Sequence, residues 1–423
     1  MNKRFITLFP SYEDYHFFKD PGQIPYRMRK FGYNTSIVSY KNSVDYHFTK
    51  QYLDQEFLAD KDIKYGKNYY IFKYLYRNSK RIDVLNLFHI TWVSLLYAFI
   101  YKAINKNGIV YLKLDNCCYG SKYEWQILLE KEIPIFKVKG KIKQTLFMYF
   151  FSSVDFFSVE DIDSCEVYSS YDQLKNKIIV AYNGYTCDLF RSDSIKDFST
   201  RGNFILTVGN LGSYSKNTEM LLEAFGDIAQ SIPGWSLHLA GKIYENLTFF
   251  IDDFLKRKPW MKERIVFHGY LEKDELFPLY NNSKIFVLPS KYETFANVFC
   301  EAFYYGNVIV TTEIVSPREL IRDKCGIILK EITSACLSSE LKNLIDNPGL
   351  QKNYSDNSLE ISTKLNWMII LRQVNEKINQ IMLVRRKQNL LKFFVVCITA
   401  IYIIKILINE FSIKHKQITR LDQ

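Results

Sequence analysis

Short apolar runs bounded by turn residues alternate with longer helix-type patterns along most of this 423-residue chain. Such alternation is typical of parallel strands joined by crossover helices. A first series of runs covers residues 5–9, 36–40, 84–88, 109–114, 155–159 and 178–182. A second series covers residues 204–208, 236–240, 264–267, 284–288, 308–312 and 326–329. The sequence therefore predicts an α/β protein with two doubly wound, Rossmann-like sheets facing each other.

A charged, serine-rich segment without an apolar run separates the two series, over residues 191–202. A chain of this length exceeds what one hydrophobic core usually organises, so two domains are expected. We predict a first domain over 1–190, a linker over 191–202 and a second domain over 203–365. A crossover helix is predicted over 366–384, followed by a tail over 385–423.

The tail carries much of the positive charge. The chain has a net charge of +11, and residues 385–423 contain eight basic residues against two acidic ones. Between them, residues 393–404 bear no charge, and the apolar stretch extends to 390–408 if Lys392 and Lys405 snorkel to the interfaces. We therefore expect the tail to associate with a membrane, as a surface segment or as a single C-terminal membrane helix. The alternative is a buried terminal helix.

Two other features bear on localisation. The eight cysteines include no C-x-x-C pair and no zinc-type cluster, which favours reduced thiols. The apolar run near the N-terminus is too short for a signal peptide. We expect the catalytic domains to lie on the cytoplasmic face of the cell membrane. A second membrane-contact candidate is the lysine-rich stretch 137–143 followed by aromatic residues 146–151, whose alternative is a solvated face before a core helix.

The end of the predicted strand 284–288 has the strongest chemical signal. There Glu293 and Glu301 flank the start of a helix near Asn297. Ligands of doubly wound sheets bind at the carboxyl ends of the strands, where helix N-termini attract phosphates. Carboxylates beside such a terminus accept hydrogen bonds from sugar hydroxyls. The arrangement fits a nucleotide sugar, although two solvated glutamates would show the same spacing.

The sequence P-S-K-Y-E-T-F-A-N-V-F-C-E-A over 289–302 resembles the bacterial family 4 glycosyltransferases, which retain anomeric configuration and have the two-domain GT-B fold. The resemblance extends over residues 5–380. It implies that Glu293 contacts the donor sugar and Glu301 the ribose. It also implies that the backbone amides of Thr294 to Asn297, a stretch that includes Phe295 and Ala296, face the sugar and the phosphates.

The stretch G-N-L-G-S-Y-S-K over 209–216 resembles the family's G-R-L…K segment, whose arginine and lysine bind the diphosphate. Lys216 matches the lysine. Asn210 stands where the family has arginine, so one of two cations is missing and the type or affinity of the donor is open. The alternative for Lys216 is an exposed lysine at the start of a helix.

Residues of the first domain complete the predicted site. By resemblance, Gly22 would let the backbone approach the phosphates, and a plain turn glycine is its alternative. His89 and Asp115 follow predicted strands and match acceptor-side polar positions of the family. We include them with Glu293 as candidate catalytic residues; strand-end capping is the alternative, and His16 is a weaker rival.

We therefore expect a hexosyltransferase-type enzyme that moves a sugar from a nucleotide-sugar donor to a lipid-linked or oligosaccharide acceptor in cell-surface polysaccharide synthesis. The donor is a substrate, and neither a cofactor nor a metal is expected. One alternative is a metal-dependent glycosyltransferase using Asp161 and Asp163 as a D-x-D motif. Another is a catalytically inactive, membrane-bound sugar-binding protein. Nucleic acid is not an expected partner, because no aromatic-basic groove is evident in the sequence.

Overall fold

The computed structural model describes residues 3–59, 67–114, 118–119, 122–123, 141–172, 174–190, 194–293, 295–313, 318–322 and 324–388. The chain divides into a large compact unit, Met1–Val374, and a second unit, Asn375–Gln423. Both predicted sheets belong to the large unit.

The first sheet has seven parallel strands in the order β3-β2-β1-β4-β5-β8-β9. Its strands are β1 (Arg4–Leu8), β2 (Asn34–Ser39), β3 (Asp54–Phe57), β4 (Val84–Phe88), β5 (Ile109–Lys113), β8 (Phe156–Val159) and β9 (Ile178–Val180). A separate antiparallel pair consists of β6 (Cys118–Tyr119) and β7 (Lys122–Tyr123). The order reverses at β1, which is the doubly wound arrangement.

The second sheet has six parallel strands in the order β12-β11-β10-β13-β14-β15. They are β10 (Phe204–Val208), β11 (Ser236–Ala240), β12 (Ile265–Gly269), β13 (Ile285–Leu288), β14 (Val308–Thr312) and β15 (Gly326–Leu329). Here the order reverses at β10. Two doubly wound parallel sheets are therefore confirmed.

The α-helices cover both faces of the sheets. In the first half they are Asp20–Met28, His47–Tyr52, Lys67–Asn78, Trp92–Ile104, Lys141–Ser152 and Ile162–Ser169. In the second half they are Thr218–Ile228, Glu245–Arg257, Lys273–Asn282, Asn297–Tyr304, Arg318–Ile321, Ser334–Ile345 and Pro348–Lys364. Residues 367–388 are also helical.

The apolar runs of the strands are explained by burial on both faces. In β10, Phe204, Leu206 and Val208 pack into one core layer, while Ile205 packs into the layer on the opposite face of the sheet. A strand between two helical layers is apolar at consecutive positions, and the sequence shows this as an uninterrupted run.

Strands β3, β6 and β7 lie outside the predicted apolar runs, and β3 is the one that belongs to a parallel sheet. Strand β3 has the sequence D-Q-E-F and lies at the edge of the first sheet, where its side chains are exposed or half-buried. An edge strand does not need an apolar run, so its sequence carries no strand signal of the kind used above.

The predicted linker packs against the second half where it is described. The guanidinium of Arg201, which is 5% exposed, donates to the carbonyl of Gly306 at 3.1 Å. At the other junction, the N–H of Tyr185 donates to the carbonyl of Leu365 at 3.2 Å, and Trp367 is buried. The boundaries of the predicted domains themselves stay predictions.

The predicted membrane segment 393–404 lies outside the described residues. Within the part of the chain that is described, no helix has both the length and the apolar character needed to cross a membrane. The aromatic stretch 146–151 belongs to the helix Lys141–Ser152, and Phe147, Phe150 and Phe151 are buried in the core of the first half. This burial favours a core helix over a membrane contact at that stretch.

Candidate functional site

A cavity of about 480 Å³ opens at the carboxyl ends of β10 and β11. Both halves of the large unit contribute to its wall. The first half supplies Asp14, Tyr15, Phe18, Lys19 and Phe48. The second half supplies Val208, Gly209, Asn210, Ala240, Gly241, Lys242, Tyr270, Leu271, Glu272, Lys273, Leu276, Asn297, Val298 and Glu301. The cavity therefore lies where the doubly wound topology predicts a ligand.

Close backbone approach shapes the cavity where the strands end. Gly241 has φ +136°, and a Cβ at this position would lie 1.8 Å from the carbonyl oxygen of Gly209. The N–H of Gly241 donates to the carbonyl of Gly269 at 2.7 Å. A side chain at position 241 would force the ends of β10 and β11 apart, so glycine is required there.

The helix Asn297–Tyr304 begins beside the cavity. Its N-cap residue, Ala296, has no side chain that could accept a hydrogen bond from the first turn. Phe295 and Ala296 are buried side chains of the core, whereas Asn297 and Val298 line the cavity. The first turn of this helix thus has N–H groups without a side-chain cap, as a phosphate-binding terminus requires. Thr294 lies outside the described residues.

Glu301 is the most buried acidic group of the cavity wall, with 4% of its surface exposed. One carboxylate oxygen forms an ion pair with the ammonium of Lys273, and the other has no hydrogen-bond partner among the described residues. Burial and, to a smaller extent, the charge of Glu301 and the approach of its carboxylate to the hydroxyl raise the pKa of Tyr280 well above its ordinary value. The Tyr280 hydroxyl and the second oxygen of Glu301 both lack a hydrogen bond of normal geometry among the described residues. Lys273 therefore provides a counter-ion for an otherwise uncompensated buried carboxylate.

Glu293 forms an ion pair with Lys216, 77 residues away in the sequence. Each side chain is 18% exposed. The stem of Lys216 passes beside Gly209, since a Cβ on that glycine would lie 3.3 Å from Cε of the lysine. The N–H of Lys291 donates to the carbonyl of Ser215 at 2.8 Å and joins the loops that carry the pair. Two predicted donor-binding residues thus meet beside the cavity.

Asn210, a predicted donor-binding residue, is exposed and lines the cavity. Sequence reasoning missed its neighbour Lys242, which lines the same wall. Leu211 follows Asn210 and its N–H donates to the carbonyl of Lys242 at 2.8 Å. Lys273 was missed too. The sequence did contain a signal for Lys242: it directly follows Gly241, the glycine after the predicted strand 236–240.

The first-half wall is organised by Asp14. Its carboxylate accepts hydrogen bonds from the N–H groups of Phe48 at 3.0 Å and Thr49 at 2.9 Å, and so caps the helix His47–Tyr52. Nearby, Nδ1 of His16 accepts a hydrogen bond from the N–H of Glu13 at 2.9 Å. Burial, followed by the charge of Lys19, lowers the pKa of His16 to about 4. The imidazole of His16 is therefore neutral at pH 7.

Two first-half candidates, His89 and Gly22, are not among the residues that line this cavity. His89 follows β4 with φ +57°, and its carbonyl accepts a hydrogen bond from the Ser94 hydroxyl at 2.7 Å. Gly22 is buried inside the helix Asp20–Met28, where a Cβ would lie 2.4 Å from Cα of Phe17. Its N–H donates to the carbonyl of Lys19 at 3.1 Å. The close contact with Phe17 already requires a glycine here, and a role of Gly22 in donor binding stays a prediction. Asp115 lies outside the described residues.

The acidic residues of the D-x-D alternative have other partners. The carboxylate of Asp161 accepts a hydrogen bond from the N–H of Ser164 at 2.7 Å and caps the helix Ile162–Ser169. Asp163 forms an ion pair with Arg318 at 2.5 Å. Over the described ranges, no group of three His, Cys, Asp or Glu side chains is arranged to hold a metal ion.

Comparison with known proteins places the cavity in context. Residues 202–347 match the family described as Glycosyl transferases group 1. A glycogen synthase of Mycobacterium tuberculosis is 30% identical over 145 residues, which are 34% of this chain and 34% of that protein. The chain spans about a quarter to a third of the length of the curated relatives it matches. The match to the family lies within the second half of the chain.

Solved structures resemble most of the described chain. A glycosyltransferase from Rickettsia africae ESF-5 superposes with a TM-score of 0.69 at 12% identity, covering 90% of this chain and 99% of that one. Anabaena Alr3699/HepE in complex with UDP and glucose gives a TM-score of 0.63 at 14% identity, covering 89% and 100%. These similarities confirm the predicted GT-B fold.

Proposed function

We propose that this chain is a hexosyltransferase-type glycosyltransferase that uses a nucleotide-sugar donor. The observation that carries the proposal is that two lysine–glutamate pairs form at the carboxyl ends of the second sheet. Lys273 and Glu301 line the cavity, and Lys216, paired with Glu293, passes beside Gly209 of its wall. This is the segment that matches Glycosyl transferases group 1. Four charged side chains from the segments that follow β10, β12 and β13 are thus available to one anionic, hydroxyl-rich ligand.

The donor's groups can be assigned to these side chains by chemistry. The free carboxylate oxygen of Glu301 is a buried acceptor without a partner among the described residues, and a ribose hydroxyl would supply the missing hydrogen bond. Glu293 would accept hydrogen bonds from the hydroxyls of the sugar. Lys216 would offset the charge that develops on the diphosphate as it leaves. The uncapped turn at Asn297 would donate to the phosphates.

We further propose retention of configuration and no metal requirement, both of which the family resemblance implies. The lysines of the cavity support the second point, because they are cations that can offset diphosphate charge. His89 and Asp115 remain proposed acceptor-side residues. Activity that survives an excess of EDTA would support metal independence, whereas loss of activity restored by a divalent cation would contradict it.

For the acceptor we propose a saccharide, carried on a lipid in the assembly of a surface polysaccharide. Tyr15, which is 50% exposed, and the neighbouring Phe18 and Phe48 give the first-half wall aromatic surface suited to a sugar ring. The basic and apolar composition of the tail supports membrane attachment at the cytoplasmic face, near such an acceptor.

The test is a panel of UDP-, GDP- and dTDP-sugars incubated with the purified full chain. The expected result is hydrolysis or transfer with at least one donor, and UDP-glucose goes first because UDP and glucose occupy the HepE structure. If the chain neither binds nor turns over any of these donors, the proposal is overturned. Binding without turnover on any acceptor would favour the alternative of an inactive sugar-binding protein.

A further inference from the structure

Four lysines line or border the cavity, and they differ in their partners. Lys216 and Lys273 are ion-paired with Glu293 and Glu301. Lys242 is exposed and forms no ion pair with any residue that the structure describes; its ammonium lies 5.7 Å from the centroid of the Tyr244 ring. The cavity wall also carries the carboxylates of Asp14 and Glu272. Among these four lysines, Lys242 and Lys19 are therefore the ones whose ammonium groups have no ion-pair partner among the described residues, and they are available to an anionic ligand.

The backbone holds Lys242 directly beside Asn210. Beyond the ends of β10 and β11 the two chains stay paired, because Leu211 and Ile243 form a parallel bridge. The N–H of Leu211 donates to the carbonyl of Lys242 at 2.8 Å, and the N–H of Tyr244 donates to the carbonyl of Leu211 at 2.9 Å. The positions of residues 210 and 242 on the cavity wall are therefore rigidly linked.

We propose that Lys242 binds the diphosphate of the donor and supplies the positive charge that the neutral Asn210 does not. This inference rests on the proposed function, since it concerns the same nucleotide sugar. The cation would be displaced by one strand, from the end of β10 to the end of β11, and would face the same cavity as Glu301 and Asn297. Lys19 is the other unpaired lysine, but it lies on the first-half wall over the Tyr15 ring, at 4.9 Å.

The experiment is calorimetric titration of the full chain with whichever of UDP, GDP and dTDP binds in the donor panel, and with the matching nucleoside monophosphate. Lys242→Gln is expected to weaken diphosphate binding by about tenfold to a hundredfold, since a charge-assisted hydrogen bond is lost. The monophosphate should lose less. Lys262→Gln is the matched control, because Lys262 is exposed and lies before β12, at the opposite end of the sheet. This variant should bind the nucleotide as tightly as the unaltered chain does.

A second pair of variants tests the displacement. Asn210→Arg added to Lys242→Gln should restore most of the lost nucleotide affinity. Made in the unaltered chain, it should raise the affinity by a smaller factor, because both side chains would contact the same diphosphate. Affinity of Lys242→Gln within twofold of the unaltered chain would overturn the inference, and so would equal losses for the diphosphate and the monophosphate. If the unaltered chain binds no nucleotide at all, the proposed function itself fails, which is a distinct result.

Discussion

The ammonium of Lys273 forms an ion pair with the buried carboxylate of Glu301, and the second oxygen of that carboxylate is left without a hydrogen-bond partner among the described residues. The lysine begins the helix that follows β12, and the glutamate lies in the helix that follows β13. The carboxylate of Glu301, which we propose accepts a hydrogen bond from the ribose, is thus held in place before any ligand binds. Its orientation depends on Lys273, which comes from a different helix.

Removing this counter-ion should be costly. Lys273→Ala would leave Glu301 charged, buried and unpaired, so we expect the free energy of unfolding to fall by about 2–3 kcal/mol. Adding Glu301→Gln should recover part of that loss, because the buried charge is removed. Urea denaturation measures both. Lys342→Ala, which breaks the exposed pair with Asp346, is the control and should cost about 0.5 kcal/mol or less.

Glu293→Gln and Lys216→Ala should each lower kcat by about tenfold to a thousandfold, which corresponds to about 1.4–4 kcal/mol of lost transition-state stabilisation. The fold should be retained, because the pair they form is partly exposed. Steady-state kinetics with the donor found in the panel measures the effect. Glu331→Gln, an exposed residue after β15, should have unaltered kinetics. A rate close to that of the unaltered chain in either site variant would remove that residue from the mechanism.

The close approach of the strand ends predicts a sharp difference between two glycines. Gly241→Ala would place a methyl group 1.8 Å from a carbonyl oxygen at φ +136°, so it should destabilise the protein by at least about 2 kcal/mol. Gly234→Ala introduces strain at φ +88° but meets no atom within 4 Å, and should cost only about 1 kcal/mol. Similar unfolding midpoints for the two variants would contradict this account of the site.

His16 makes stability depend on pH with a definite sign. Its pKa is about 4 in the folded protein, against an ordinary value of 6.5, so the unfolded chain binds the proton more readily between these values. The free energy of unfolding should be insensitive to His16 above pH 6.5 and should decrease as the pH falls from about 6.5 to about 4. His16→Asn keeps an acceptor for the N–H of Glu13 and should flatten this dependence. Thermal unfolding of both proteins at several pH values measures this dependence. If stability falls equally steeply with decreasing pH in the unaltered chain and in His16→Asn, the assignment to His16 is refuted.

Deleting residues 385–423 tests the membrane proposal. The truncated chain keeps the proposed donor-binding residues, so it should fold and bind nucleotide. It should move from the membrane fraction to the soluble fraction, and should lose activity on a lipid-linked acceptor more than on a soluble analogue. A full-length chain that is soluble without detergent, or a truncated chain that does not fold, would contradict membrane attachment by this segment.

Several features of this protein follow from its sequence alone. Buried strands such as β10 and β14 show as apolar runs because helices cover both faces, and their order along the chain predicts two parallel sheets. The placement of Glu293 and Glu301 after β13 is local too, since a strand end and a helix start are fixed within a dozen residues. The edge strand β3 escaped prediction because exposure removes the need for apolar residues.

Tertiary structure decided which charges meet. The pairs Lys216–Glu293 and Lys273–Glu301, and the position of Lys242 beside Asn210, depend on the order in which β10, β11, β12 and β13 assemble. The same holds for Gly22, whose role in helix packing depends on its distance to Phe17. Local periodicity reports burial along one segment, whereas an ion pair across two loops requires the three-dimensional arrangement of the strands that carry them. The sequence by itself therefore determined the two sheets and the acidic strand end, and only folding assigned each carboxylate its cation.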